Sequence, residues 1–103
     1  MDILYGSFID SNRTKTITTS KYYNYIICIA TGGGRYSESG SVYGNITVSN
    51  KTITDIVNIK QVDTGGKTRA VHYHVAYVSD VPDGTTVTVS HFYEGMEVVI
   101  GIY

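Results

Sequence analysis

Apolar and polar residues alternate along most of the chain, and no segment shows the 3.6-residue spacing of an amphipathic helix. The segment 69–78 is the clearest case, because successive side chains of a strand point to opposite faces. One face of this strand would carry Val71, Tyr73, Val75 and Tyr77, and the other Ala70, His72, His74 and Ala76. The valine and tyrosine face is the more hydrophobic, so we expect it to be buried and the histidine face to meet solvent.

About eight segments share this alternation, and each predicts a strand. They are residues 3–9, 14–19, 22–30, 42–48, 53–62, 68–79, 86–92 and 96–103. Segment 22–30 is apolar on both faces, as in a central strand that is covered on both sides. Segment 14–19 has Ile17 as its only large apolar residue, which is typical of a strand at an edge or on the surface. The alternation slips at Ile56 and Val57, which predicts a β-bulge or a bend.

Glycine and proline mark the breaks between these strands. Gly32, Gly33 and Gly34 interrupt the pattern and predict a loop, and residues 64–67 predict a hairpin loop. Residues 81–84 read Val-Pro-Asp-Gly and predict a tight turn, because proline restricts φ and glycine readily takes a positive φ.

The chain has 103 residues, too few for two domains with separate cores. We therefore predict one domain over residues 1–103: an all-β, antiparallel β-sandwich of about eight strands and of the jelly-roll kind. The residues that we predict to lie in or near the core are Ile26, Cys28, Val71, Val75, Val87, Val89, Val98 and Ile100.

Charge and hydropathy exclude several kinds of partner. The formal net charge is −1, and the eight basic residues are scattered, so general nucleic-acid binding is not expected. No apolar run approaches the roughly 20 residues that cross a bilayer, so no membrane contact is expected. Met1 is followed by Asp2 without the features of a secretory signal, which predicts that the protein either stays in the cytoplasm or leaves the cell by lysis or as part of a particle.

Tyrosine dominates the aromatic residues, with ten Tyr, two Phe and no Trp. A tyrosine ring is apolar and its hydroxyl is polar, so we expect many of these rings to lie half-exposed on sheet faces or at interfaces. The single cysteine, Cys28, cannot form an internal disulfide and lies among apolar residues, which predicts a buried thiol.

Three histidines form a weak candidate metal site. His72 and His74 share one face of a predicted strand, and a neighbouring strand can bring His91 close to them. Two or three imidazoles bind zinc or another divalent transition metal. The alternative, which we favour, is that these histidines are polar residues on a solvent face, since no Cys-x-x-Cys, His-Glu-x-x-His or nearby carboxylate accompanies them. We predict no metal and no other cofactor.

Gly32, Gly33, Gly34, Arg35 and Tyr36 form a candidate ligand-binding segment. Successive glycine N–H groups can form a nest for an anion, Arg35 adds positive charge, and Tyr36 offers a ring for stacking. The Walker spacing is missing and no helix follows, so a plain connection between strands is the alternative.

Catalysis is not expected. The chain contains no Gly-x-Ser-x-Gly motif, and its acidic residues are dispersed. We therefore predict that the protein is not an enzyme.

Residues 22–30 read Tyr-Tyr-Asn-Tyr-Ile-Ile-Cys-Ile-Ala and are followed by the glycine run and a polar middle. Residues 81–90 read Val-Pro-Asp-Gly-Thr-Thr-Val-Thr-Val-Ser and precede an apolar final strand. In this pattern, over about four-fifths of its length, the chain resembles the small β-sandwich modules of tailed-phage virions, which include head decoration proteins and tail-fibre tips. The resemblance implies a cysteine-poor, secretion-independent module that assembles as an oligomer, and it carries over no functional residues.

Two functional hypotheses follow. The first is a non-catalytic structural module of a phage virion, a decoration or tail-associated protein that contacts its own copies and other virion proteins. The alternative is a small ligand-binding module for carbohydrate or an anionic metabolite, with its site at the glycine run.

Overall fold

The computed structural model describes residues 1–9, 13–34, 44–63, 69–91 and 94–103, and these residues form eight strands. The strands are β1 (Asp2–Ile9), β2 (Arg13–Thr18), β3 (Tyr23–Gly34), β4 (Gly44–Val48), β5 (Thr54–Asp63), β6 (Arg69–Val81), β7 (Thr86–His91) and β8 (Gly95–Ile102). Each predicted strand overlaps one of them, so the predicted all-β fold is confirmed.

The strands form two antiparallel sheets, one of five strands in the order β1-β8-β3-β6-β5 and one of three in the order β2-β7-β4. Their pairing is nested, since β1 pairs with β8, β2 with β7 and β3 with β6. Nested pairing arises when a chain folds back on itself and the resulting ribbon rolls into two sheets, which is the jelly-roll arrangement. β5 departs from it, because β5 pairs with β6 at the edge of the larger sheet.

Several local predictions are confirmed. β3 is the central strand of the five-stranded sheet, and β2 is an edge strand of the smaller sheet. The register of β5 against β6 shifts between Asp55 and Val57, where the alternation slips in the sequence. The turn at residues 81–84 has Gly84 at φ 83°, a value that a side chain would disfavour.

The core between the sheets differs from the predicted core in β6 and β8. Its buried apolar residues are Tyr23, Ile26, Cys28, Ala30, Ile46, Val48, Ala76, Val78, Val81, Val87, Val89 and Val99. Ile26, Cys28, Val87 and Val89 are therefore confirmed.

The prediction was wrong for Val71, Val75, Val98 and Ile100, which lie on the outer face of the larger sheet and are only partly buried. The expectation that the histidine face of β6 meets solvent was also wrong, because His72 and His74 are buried. Alternation shows which residues of a strand share a face, but it does not show which face lines the core. In β6 the more hydrophobic face lies on the outside of the sheet.

Asp2 joins the first, third and last strands at one end of the sandwich. Its carboxylate accepts hydrogen bonds from the Tyr23 hydroxyl at 2.6 Å and the Tyr103 hydroxyl at 2.5 Å, and Lys21 Nζ lies 3.0 Å away. These hydrogen bonds from Tyr103, Tyr23 and Lys21 hold the pKa of Asp2 well below its usual range. The start of β1 and the residue after β8 are thus fixed to the start of β3.

The lone cysteine yields a direct test of the core. Cys28 is 1% exposed, and its burial raises the thiol pKa to about 12. Because the thiolate is the reactive form, we expect Cys28 to react with an aromatic disulfide reagent on the order of 1,000-fold more slowly in the native protein than in urea. Absorbance of the released thiol measures both rates. Equal rates in the two conditions would contradict the burial of Cys28.

Candidate functional site

His72 and His74 join the two sheets at the end opposite Asp2. Their rings stack with centroids 5.6 Å apart, and both contact the backbone of Gly44, the first residue of β4. Gly44 N donates to His72 Nδ1 at 2.7 Å, and Gly44 O lies 2.9 Å from His74 Nδ1. On β5, Asn58 Oδ1 is 2.6 Å from His72 Nε2, and Asp55 Oδ1 is 2.6 Å from His74 Nε2. We call this end of the sandwich the histidine end.

These contacts assign the proton on the His72 ring. His72 Nδ1 accepts a hydrogen bond, so its proton is on Nε2 and the ring is neutral. Burial lowers the pKa of His72, which agrees with a neutral ring. Both nitrogens of His74 face oxygen atoms, Nδ1 toward Gly44 O and Nε2 toward Asp55 Oδ1. Hydrogen bonds from His74 and Asn58 lower the pKa of Asp55, which keeps it charged.

The neutral state of His72 makes stability depend on pH. Its pKa is lower in the folded protein than in the unfolded chain, so the unfolded chain binds more protons as the pH falls below about 6.5. Protonation of His72 would also place its Nδ1–H group against the N–H group of Gly44, which now donates to that nitrogen. We expect the urea midpoint of unfolding to fall between pH 7 and pH 5, and to fall less in His72→Asn, which retains an acceptor but cannot take the proton. An equal fall in both proteins would contradict this account.

His91 and Glu97 form a second polar pair, inside the core between β7 and β8. Both side chains are fully buried, and His91 Nδ1 lies 3.1 Å from Glu97 Oε2. The contact lacks hydrogen-bond geometry, so the ring nitrogens and both carboxylate oxygens have no hydrogen-bond partner among the described residues. Buried polar groups in this state are costly to the fold.

The three histidines do not converge on one metal position. His72 and His74 contact each other, whereas His91 contacts Glu97. In the described part of the chain, no group of three or more His, Cys, Asp or Glu side chains could hold a metal ion. Both nitrogens of His72 and of His74 are already in hydrogen bonds, so neither ring presents a free lone pair.

The glycine run is part of a strand. Gly32, Gly33 and Gly34 belong to β3 and pair with β6, so the prediction that they form a loop was wrong. The three glycines continue the strand because each of them pairs with a residue of the long neighbouring strand β6. Arg35 and Tyr36, the other two residues of the candidate ligand segment, lie outside the described residues. Ligand binding at this segment stays a prediction.

The outer face of the five-stranded sheet is the most distinctive surface of the molecule. Strand pairing aligns many of its outward residues in rows: Ile3-Ile100-Ile27-Tyr77-Thr54, then Gly6-Val98-Ile29-Val75-Val57, then Phe8-Met96 beside Thr31-Tyr73-Ile59, with Ile102, Tyr25 and Ser79 beside the first row and Val71 and Gln61 beside the last. All these described side chains are apolar or uncharged. We call this surface the apolar face.

Large side chains of the apolar face are exposed to solvent. Phe8 is 75% exposed, Ile3 71%, Ile59 50% and Tyr73 47%. The three-stranded sheet covers the opposite side, so no described element packs on this face. The half-exposed Tyr25 and Tyr73 agree with the expectation that tyrosines lie on sheet faces.

The outer face of the three-stranded sheet has the opposite character. Its outward residues are Thr14, Thr16, Thr18, Asn45, Thr47, Thr86, Thr88 and Ser90. Thr16 and Thr88 hydrogen-bond each other across the strands, with their hydroxyl oxygens 3.2 Å apart. We call this surface the hydroxyl face. The two outer faces of the sandwich therefore differ in polarity: the described side chains of one carry hydroxyl and amide groups, and those of the other are mostly apolar.

Sequence reasoning missed the apolar face and several residues of the histidine end. Gly44, Asp55 and Asn58 bind the two histidines from distant parts of the chain, and no local pattern marks them. The available signal was that both faces of β6 and of β8 carry apolar residues, although only one face of each strand can line the core.

Comparisons with protein-family models, with curated proteins and with solved structures find no match to this chain. In the described residues, no helix is long and apolar enough to cross a membrane.

Proposed function

We propose that the protein is a non-catalytic structural module that acts through protein–protein contacts, as a decoration or tail-associated component of a phage virion. The observation that carries the proposal is the apolar face. Strands about 4.8 Å apart and residues about 3.4 Å apart along them give this face a footprint of roughly 20 Å by 25 Å, or about 500 Å². Contiguous apolar patches of this size on a soluble domain commonly mark interaction sites.

Two further features support this proposal. The eight-stranded sandwich presents the apolar face on a hydrogen-bonded sheet, and a rigid sheet loses little conformational entropy on binding. The sequence pattern also resembles virion modules, which work by assembly. The partners in this proposal are further copies of the chain and other virion proteins.

Native mass spectrometry of the purified protein tests the assembly part. The chain has a mass of 11.3 kDa, and we expect multiples of it without added ligand. Val75→Asp places a charge in the middle row of the apolar face and should dissociate the assembly, whereas the matched control Thr47→Asp on the hydroxyl face should not. A monomer that carries a few hundred daltons of retained ligand would instead favour the ligand-binding alternative.

Peptide mass spectrometry of particles purified from the source culture tests the virion part. We expect the protein there at a copy number comparable to that of other structural proteins. Its absence from such particles would contradict a virion role.

A further inference from the structure

We infer that the partner on the apolar face is a second copy of this chain, which lies face to face with the first across a two-fold axis that passes close to Ile29. The inference rests on the proposed function and names the partner at that same surface. Ile29 lies on the central strand β3 and in the middle row of the apolar face.

The charge pattern favours a second copy. The outward side chains of the rows are uncharged, and Glu94, which pairs with Gly33, lies beyond them near the margin. A partner with an ordinary charged surface would bury its charges here with nothing to pair them. A second apolar face brings no charge into the contact, so the two copies are complementary without repulsion.

The shape of the surface favours a two-fold pair. A broad sheet face is fully covered only by another layer that lies parallel to it, about 10 Å away. A two-fold axis in the plane between the copies brings the two apolar faces together, and the assembly then stops at two copies. Two footprints of roughly 500 Å² bury about 1,000 Å² in total, which is the lower limit for a specific interface.

The edges of the larger sheet are poorly suited to the competing edge-to-edge arrangement. β1 has a register shift between Ile3 and Tyr5, and β5 has one between Asp55 and Val57. Bulges of this kind disrupt the row of free N–H and C=O groups that another strand would need. Assembly through the face is therefore favoured over extension of the sheet.

The first test uses wild-type protein. A mixture of isotopically labelled and unlabelled chains, studied by filtered NOE spectroscopy, reports contacts between copies only. We expect the Ile29 methyl groups to show contacts with apolar-face methyl groups of the other copy, in a species with twice the mass of the chain. Contacts between copies that arise only from the hydroxyl face or from the edge strands would overturn the inference.

The second test uses the two-fold symmetry of the proposed dimer. Close to a two-fold axis, residue 29 of one copy faces residue 29 of the other. Ile29→Asp and Ile29→Lys should therefore each be monomeric through like-charge repulsion, and a mixture should form a 1:1 heterodimer at least about tenfold more tightly than either alone. Thr47→Asp and Thr47→Lys serve as the matched pair and should remain homodimers. Circular dichroism confirms that each variant is folded.

The outcomes separate this inference from the proposed function. A trimer or larger ring without contacts at Ile29 would overturn the two-fold pair and leave the assembly function standing. A monomer that carries a bound small ligand would overturn both. A mixture of the two Ile29 variants with no preference for the heterodimer would overturn the position of the axis.

Discussion

Gly44→Ala should lower the free energy of unfolding by about 3 kcal/mol or more, the upper range for overpacked cores. A Cβ atom at Gly44 would lie 2.1 Å from Ala30 O and 2.6 Å from Ala30 C, so β4 would have to move away from β3. Both obstructing atoms belong to the backbone and cannot swing aside. The movement would also withdraw the Gly44 N–H and carbonyl groups from His72 and His74.

Urea unfolding of the purified variant measures this effect. Asn45→Ala is the matched control, because Asn45 is the next residue of β4 and its side chain is exposed on the hydroxyl face. We expect the control to change the free energy of unfolding by no more than about 0.5 kcal/mol. Similar stabilities for the two variants would show that the sheets can separate at Gly44 without cost, and would contradict the close approach of β4 and β3.

Removing one member of the His91 and Glu97 pair should cost about 3 kcal/mol, whereas removing both should cost much less. In Glu97→Leu, the buried imidazole of His91 loses the carboxyl group whose Oε2 atom lies 3.1 Å from its Nδ1. In His91→Leu, the fully buried carboxyl group of Glu97 loses its imidazole neighbour. The double variant replaces His91 and Glu97 by leucine, so neither side chain has a buried polar atom that lacks a hydrogen-bond partner.

A double-mutant cycle from urea unfolding at pH 7 isolates the coupling between the two side chains. We expect a coupling of roughly 2 kcal/mol or more, within the range measured for residues in contact. Additive single-variant effects would mean that His91 and Glu97 act independently, in spite of the 3.1 Å that separates them. Thr88→Leu on the hydroxyl face is a control for leucine substitution within β7.

These stability effects bear on the proposed interface. The histidine end and the His91 and Glu97 pair lie between the sheets, on the inner side of the larger sheet. Variants there should change unfolding without changing the mass of the native assembly. Variants on the apolar face should change the assembly instead.

The sequence by itself determined the number of strands, their order along the chain and much of their local geometry. The doubly apolar segment is the central strand β3, the threonine-rich segment is the edge strand β2, and the slip at Ile56 and Val57 is a bulge. These features are local, because strand formation follows a two-residue alternation and turns follow glycine and proline. The burial of Cys28 could be predicted for the same reason.

Only the tertiary structure decided which face of β6 and β8 lies inward. Both strands have two partly apolar faces, and the sequence offers no local measure of the space between the sheets. Near Gly44 and Gly95 that space is too narrow for another side chain, so the inner face carries glycine and alanine, with histidines that find partners on β4 and β5. The larger residues Val75, Val98 and Ile100 therefore lie outside, where they form the apolar face.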